Sequence, residues 1–222
     1  MMANLMPDMR LPNSKQRLAV IGRTGSGKTQ AAVWHLSQQA IESKPWLIID
    51  FKTDELINSI DRANHIELGE VPKKPGVYIC HPLPSEMEEL EAYLWKIWAK
   101  ENIGVYIDEG YMMENNKAFE ACLTQGRSKR IPMIVLTQRP VWLSRFVFSE
   151  SDFFQVFHLN DKRDRKTIEG FLPSDVSRRL PDYHSHYYDV GRNALHRLAP
   201  VPGADTILET FDDRLRPPRK FV

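Results

Sequence analysis

The amino-acid sequence predicts an α/β fold: a mostly parallel central sheet covered by helices on both faces, with an antiparallel hairpin near the C-terminus. Two observations carry this. Short, wholly apolar runs alternate with segments of helical periodicity, and strands buried on both faces belong to parallel sheets. Late in the chain, two strand-like runs flank Gly191-Arg192-Asn193, the mark of a hairpin.

The elements follow in order. Residues 1–16, polar and holding Pro7 and Pro12, read as a flexible N-terminal arm. Arg17 to Ile21 is an apolar run stopped by Gly22, a buried strand. From Lys28 the pattern turns helical, with Ala31, Ala32, Leu36, Ala40 and Ile41 in phase, and Pro45 closes the segment. Trp46 to Ile49 is a second buried strand, running into Asp50-Phe51-Lys52. A short helix is expected over Asp54 to Ile60 and a strand over Val77 to Cys80. Ser85 to Lys100 predicts a helix capped by Ser85, with Glu86, Glu88 and Glu89 in the first turn, where the helix dipole favours anions. Its apolar face holds Met87, Leu90, Leu94, Ile97 and Trp98. Ile103 to Ile107 is a strand ending in Asp108-Glu109; Asn115 to Cys122 is a helix; Met133 to Leu136 is a strand ending in Thr137-Gln138. Phe153 to Leu159 reads as a strand, Lys162 to Phe171 as a helix, and His184 to Val190 with Ala194 to Leu198 as the hairpin. Residues 17–213 thus form one domain, and 214–222, with two prolines and four basic residues but no acid, form a basic C-terminal tail.

Composition narrows the class. With 42% hydrophobic and 27% charged residues, the chain is neither disordered nor fibrous, and 222 residues suffice for one real core. Two cysteines, Cys80 and Cys122, are too few for a disulfide framework, which favours a reducing compartment. No apolar run approaches the roughly 18 residues of a membrane span, and Met1 to Arg10 lacks the apolar stretch of a signal peptide. Thirty basic against 29 acidic residues leave a net charge of +1, which by itself argues against a nucleic-acid binder. The local distribution argues the other way. Residues 121–148 contain Arg127, Lys129, Arg130, Arg139 and Arg145 and no acid. An arginine from this stretch can serve a neighbouring subunit's nucleotide, or the stretch can hold nucleic-acid phosphates, or it is a plain surface patch.

The motif with the most chemistry is Gly22-Arg23-Thr24-Gly25-Ser26-Gly27-Lys28-Thr29, which matches G-x-x-x-x-G-K-[ST] between a buried strand and a helix. Its glycines let backbone N–H groups turn toward phosphate oxygens, aided by the helix dipole. Lys28 would reach the β- and γ-phosphates of ATP, and Thr29 would place its hydroxyl on Mg²⁺. Val105-Tyr106-Ile107-Asp108-Glu109 has the form of a Walker B element, with Asp108 for the metal and Glu109 to polarise the attacking water. Gln138, at the tip of its strand, has an amide suited to both the γ-phosphate and that water, or is simply a turn residue. His184 and His186 form half a metal site at most, because no further ligands complete zinc spacing. Asp161 to Lys166 is most simply a charged helix start, and it also has the look of the arginine-bearing lid of a nucleotide kinase.

The P-loop, Ile49-Asp50-Phe51-Lys52, Tyr106-Ile107-Asp108-Glu109 and Thr137-Gln138-Arg139-Pro140, in that order, resemble the motif series of the FtsK–HerA superfamily. The compact chain looks most like the genome-packaging ATPases of tailless, membrane-containing viruses of tectivirus type. The resemblance implies a RecA-like P-loop NTPase that hydrolyses ATP with Mg²⁺ to move double-stranded DNA. It implies that Glu109 is the catalytic base, that Gln138 senses the γ-phosphate, and that Arg127 or Arg130 acts in trans, Arg127 in Gly126-Arg127-Ser128 being the better match. It implies a homo-oligomeric ring, hexameric or pentameric, a portal or capsid-vertex protein as docking partner, and action in the host cytoplasm or at the virion vertex. The competing classes are a small phosphotransferase with residues 161–166 as lid, a DNA pump of conjugation or phage extrusion, and a non-enzymatic nucleotide binder. A water-activating Glu109 argues against the first, because kinases exclude water.

Overall fold

The computed structural model describes residues 9–216 of the chain. The strands are β1 (Arg17–Ile21), β2 (Pro45–Ile49), β3 (Asn64–His65), β4 (Gly76–Cys80), β5 (Gly104–Ile107), β6 (Met133–Thr137), β7 (Phe153–Val156), β8 (Ser185–Asp189) and β9 (Ala194–Leu198). The helices are α1 (Lys28–Ser37), α2 (Glu55–Asn58), α3 (Met87–Lys100), α4 (Lys117–Gln125), α5 (Arg145–Glu150), α6 (Lys162–Glu169) and α7 (Ala204–Leu215). The strands make one sheet in the order β3-β4-β2-β5-β6-β1-β7-β8-β9. Every pairing from β3 to β7 is parallel, and β8 and β9 add antiparallel, as the sequence predicts.

Strand side chains alternate between two cores. Ala19, Ile21, Leu47, Ile49, Val105 and Ile107 face α3, α4, α5 and α6, whose Leu90, Phe119, Val147 and Ile168 close that side. Leu18, Val20, Trp46, Ile48, Tyr106 and Leu136 face α1, α2 and α7, through Ala32, Leu36, Ile57, Ile207 and Phe211. Because β1, β6, β5 and β2 are parallel neighbours, their C-terminal ends lie side by side at one edge of the sheet.

Several expectations need correction. Ser85 does not cap α3: the turn Leu83–Glu86 closes with a Glu86 N–H to Leu83 carbonyl bond of 2.9 Å, and Glu86 itself is the N-cap. α1 ends at Ser37, because the chain tightens through N–H bonds of Gln38 and Gln39 to His35 and Leu36. The N-terminal segment is docked where it is described. Arg10 makes a bidentate pair with Asp189 (2.7–2.9 Å), Met9 and Leu11 pack on the second core, and the Pro12 carbonyl accepts from Gln39. The C-terminal basic segment begins inside α7. Arg214 pairs with Glu42 at 2.5 Å and Arg216 with Asp212 at 2.6 Å; the rest of that tail lies outside the described residues.

Candidate nucleotide site

The site is assembled by strand ends. β1 runs into the P-loop, whose Gly25 (φ 73°) and Gly27 (φ 89°) occupy the left-handed region that suits glycine. Gly22 has no room for a side chain, since a Cβ there would stand 2.6 Å from Ser26 Oγ and 2.7 Å from Phe157 Cβ. Its N–H donates to the Thr137 carbonyl (3.1 Å), which ties the loop to β6. Gly27 caps α1 with no side chain on its N–H groups, so the helix terminus faces the cradle with donors to spare. Lys28 is buried there. Burial lowers its pKa from the usual lysine range, and the charges of Asp108 and Asp54 oppose that fall. Thr29 stands half-buried in the first turn of α1.

β5 delivers the acids. The Asp108 N–H bonds the Ile49 carbonyl at 3.0 Å, which ties the end of β5 to β2. Asp108 is 1% exposed, yet neither carboxylate oxygen has a hydrogen-bond partner among the described residues. Burial pushes its pKa up from 3.8 to about 6, against the opposing charge of Lys52. A desolvated carboxylate with idle oxygens is the ligand a small hard cation needs, and Mg²⁺ takes one or two carboxylates plus phosphate oxygens rather than an all-protein cage. Ser26 Oγ is likewise buried and unpartnered. The chemistry of the Asp108 carboxylate and the Thr29 hydroxyl therefore fits Mg²⁺ bound together with nucleotide.

Glu109 is 1% exposed and lies in the left-handed region (φ 59°, ψ 57°), uncommon for a residue with a side chain. That backbone turns its carboxylate toward β2, where Lys52 Nζ forms an ion pair with Oε1. Asp50 holds this corner: fully buried, it accepts from the N–H groups of Lys52 (3.0 Å) and Asp54 (2.8 Å). His81 lies against the Asp50 carbonyl and Asn58 at 3.1 Å each. The second-strand motif thus has a duty the sequence left open. Asp50 shapes the turn, and Lys52 holds the glutamate.

β6 brings Gln138 to the same edge, and Thr24 Oγ1 of the P-loop donates to its Oε1. Arg23, Thr24, Gln138, Arg139, Asn160 and Asp161 border a cavity of 270 Å³ beside the loop. Arg139 lies 4.4 Å over the Trp142 ring and 3.9 Å from the buried Asp164.

Arg127 and Arg130 are elsewhere. Both precede β6, so they sit at the opposite end of the sheet from their own P-loop. Arg127 is exposed and pairs with Asp152, whose carboxylate also takes the N–H of Arg17 at the start of β1. Arg130 is exposed, in the left-handed region (φ 57°), and its carbonyl accepts from Lys44 at 2.8 Å. The acid-free stretch is partly neutralised in space: Asp152 meets Arg127, Glu101 meets Lys129 and Asp164 meets Arg139. Asp161 caps α6 by accepting from the N–H groups of Arg163 and Asp164, and Asp164 is buried against Val141. Residues 161–166 are therefore a docked helix start. His186 is buried with Nε2 near the Arg178 carbonyl, while His184 precedes β8. The sequence reading passed over Tyr183, which lies against Gly27; its only signal is a place in a turn after Pro181.

Comparison with known proteins gives a consistent picture. No protein-family model matches the chain. The chain is 53% identical over 216 residues to the DNA packaging ATPase P9 of Enterobacteria phage PRD1, covering 92% of this chain and 95% of that one. Among solved structures it resembles the genome packaging NTPase B204 of Sulfolobus turreted icosahedral virus 2 in complex with AMPPCP (TM-score 0.70, 19% identity, 86% of this chain and 100% of that one). It also resembles ATPases 2 and 3 of EssC from Geobacillus thermodenitrificans (TM-score 0.66, 12% identity, 90% of this chain and 44% of that one).

Proposed function

The chain belongs to the family of the phage PRD1 DNA packaging ATPase, within the FtsK–HerA superfamily, and from that premise we propose how its residues drive double-stranded DNA into a capsid. The observation that carries the site assignment is the convergence of Lys28, Asp108, Glu109 and Gln138 at the ends of β1, β5 and β6, with Asp108 buried and unpartnered. The P-loop N–H groups and Lys28 bind the phosphates of ATP. Thr29 and Asp108 would hold Mg²⁺, which when bound would offset the negative charge of the nucleotide's phosphates. Glu109 takes the proton of the attacking water at Oε2, the oxygen not engaged by Lys52. Gln138 fixes that water against the γ-phosphate, and its bond to Thr24 couples it to the loop.

Arg127 or Arg130 completes a neighbour's site, because neither lies at the edge that carries its own. Arg127 has the better claim through its Gly126-Arg127-Ser128 context. Residues 17–213 act as one motor domain in a hexameric or pentameric ring that docks on a portal or capsid-vertex protein, in the host cytoplasm and at the virion vertex. The test is hydrolysis with and without duplex DNA. Turnover should rise with DNA, and Glu109→Gln should bind ATP but turn it over at least ~100-fold more slowly, the upper end of a general-base contribution being ~10⁴. Rates indifferent to DNA, from a protein that stays monomeric with an ATP analogue, would defeat the proposal.

A further inference from the structure

The phosphates have a cradle, and the structure also offers a seat for the base. A cavity of 260 Å³ opens beside the first turn of α1, lined by Gly27, Gln30, Phe157, Tyr183, Pro200 and Val201. It shares no residue with the cavity at Gln138. Sites that enclose a whole drug-sized ligand run to about 300–1,000 Å³, so this one suits a single heterocycle.

We propose that this cavity seats the base of the bound nucleotide, that Tyr183 stacks on it, and that the seat grips the faces of the base without reading its edge. The motor then accepts other purine nucleoside triphosphates about as well as ATP. This rests on the nucleotide-site reading above. Gly27 ends the phosphate cradle and begins the cavity wall, so a nucleotide with its phosphates on the loop delivers its base here. Tyr183 is 59% exposed, and its ring lies over the glycine: a Cβ on Gly27 would stand 3.1 Å from Tyr183 Cδ1. Tyr183 also holds a left-handed backbone (φ 61°), in a turn closed by the His184 N–H on the Pro181 carbonyl at 3.1 Å. A bulky residue at positive φ is costly and persists where surroundings or function demand it. Phe157, buried beneath, and the Pro200-Val201 segment supply the apolar walls.

Edge readers are scarce. Pro200 has no N–H, and the Gln30 amide already donates to the Pro202 carbonyl at 2.7 Å. A site that rejects the wrong partner by 10⁴ or more does so with buried hydrogen-bonding groups that the wrong partner leaves unpaired. Stacking tolerates any base, because every base has a π-face, and is worth about 1–3 kcal/mol.

The experiment measures displacement of a ribose-labelled fluorescent ATP by ATP, GTP and inorganic triphosphate, for the full chain and for Tyr183→Ala and Tyr183→Phe. ATP and GTP should displace within about tenfold of each other. Tyr183→Ala should weaken ATP by about 5- to 150-fold, the stacking range expressed as a ratio, while Tyr183→Phe stays near wild type. Triphosphate displacement should be unchanged in Tyr183→Ala, which separates a lost stack from a collapsed loop. Equal losses for ATP and triphosphate, no loss for ATP, or a preference for ATP over GTP above about 100-fold would each overturn the proposal. If inorganic triphosphate and ATP both fail to displace from wild type, the phosphate cradle itself is misassigned and the base seat falls with it.

Discussion

Asp108 is a carboxylate held almost wholly out of water. Its carboxyl rises from 3.8 to about 6 through burial, so the folded chain holds a proton there that the unfolded chain releases. The stability this supplies is full below about pH 4 and is lost as the pH climbs through 6. Moving a carboxyl that far corresponds to roughly 3 kcal/mol, a net figure in which the attraction of Lys52 and Lys28 already opposes the larger cost of burial. Without metal at pH 7, Asp108→Asn should therefore raise the melting temperature by a few degrees while abolishing Mg²⁺-dependent turnover; a lower melting temperature would contradict this account. Protons and metal compete for the same oxygens, so Mg²⁺-nucleotide affinity should fall up to about tenfold per pH unit below 6, readable by calorimetry from pH 7 to 5. Lys52 acts through position. Lys52→Met frees the Glu109 carboxylate to swing, and kcat should drop about 10- to 100-fold with KM for ATP little changed, since misplacement by an ångström can cost that much. A change in KM alone would assign Lys52 to binding instead.

At the scale of elements, the site depends on β2 and β5 lying flush. Trp46 pairs with Gly104 across them, and a Cβ on Gly104 would enter the Trp46 ring at 2.2 Å. Overpacking of this kind costs about 1–3 kcal/mol or more, so Gly104→Ala should lower the denaturant midpoint and loosen Asp108 and Glu109 at the end of the same strand. The buried strands and P-loop helix were legible because apolar runs and a glycine motif are local signals. α7 is hard to read from sequence: its apolar residues Ile207, Leu208, Phe211 and Leu215 do recur at helical spacing, but acids and threonines surround them, and Phe211 reveals itself only against the core beneath α1. β3 is two exposed polar residues, a strand only because β4 lies beside it. Among site residues, the P-loop and Asp108-Glu109 stand out by spacing. Lys52 and Tyr183 acquire their positions from neighbours remote in sequence, Glu109 and Gly27, and no local pattern records that.

For the whole molecule, the decisive fact is that the proposed catalytic edge and Arg127 occupy opposite ends of one sheet. If Arg127 serves the neighbour, two dead variants should repair each other. Glu109→Gln subunits retain Arg127, and Arg127→Ala subunits retain Glu109, so mixed rings contain some complete sites. Mixing the two should restore ATP hydrolysis that neither shows alone; a mixture as inactive as its parts assigns Arg127 to its own chain or to structure. Arg130→Ala in the same mixing experiment decides between the two arginines.

Strand β6 has a consequence of its own. Arg127 and Gln138 are joined by one short stretch of chain, half of it the five residues of β6 held between β5 and β1. Paired on both sides and buried on both faces, that strand keeps its register and can move only together with its neighbours. Under the proposed roles, a displacement of Gln138 when the γ-phosphate departs is carried with the strand to Arg127 at the subunit next door, and the reverse message travels by the same route. Under those roles each subunit's nucleotide state is legible to the next through a single strand.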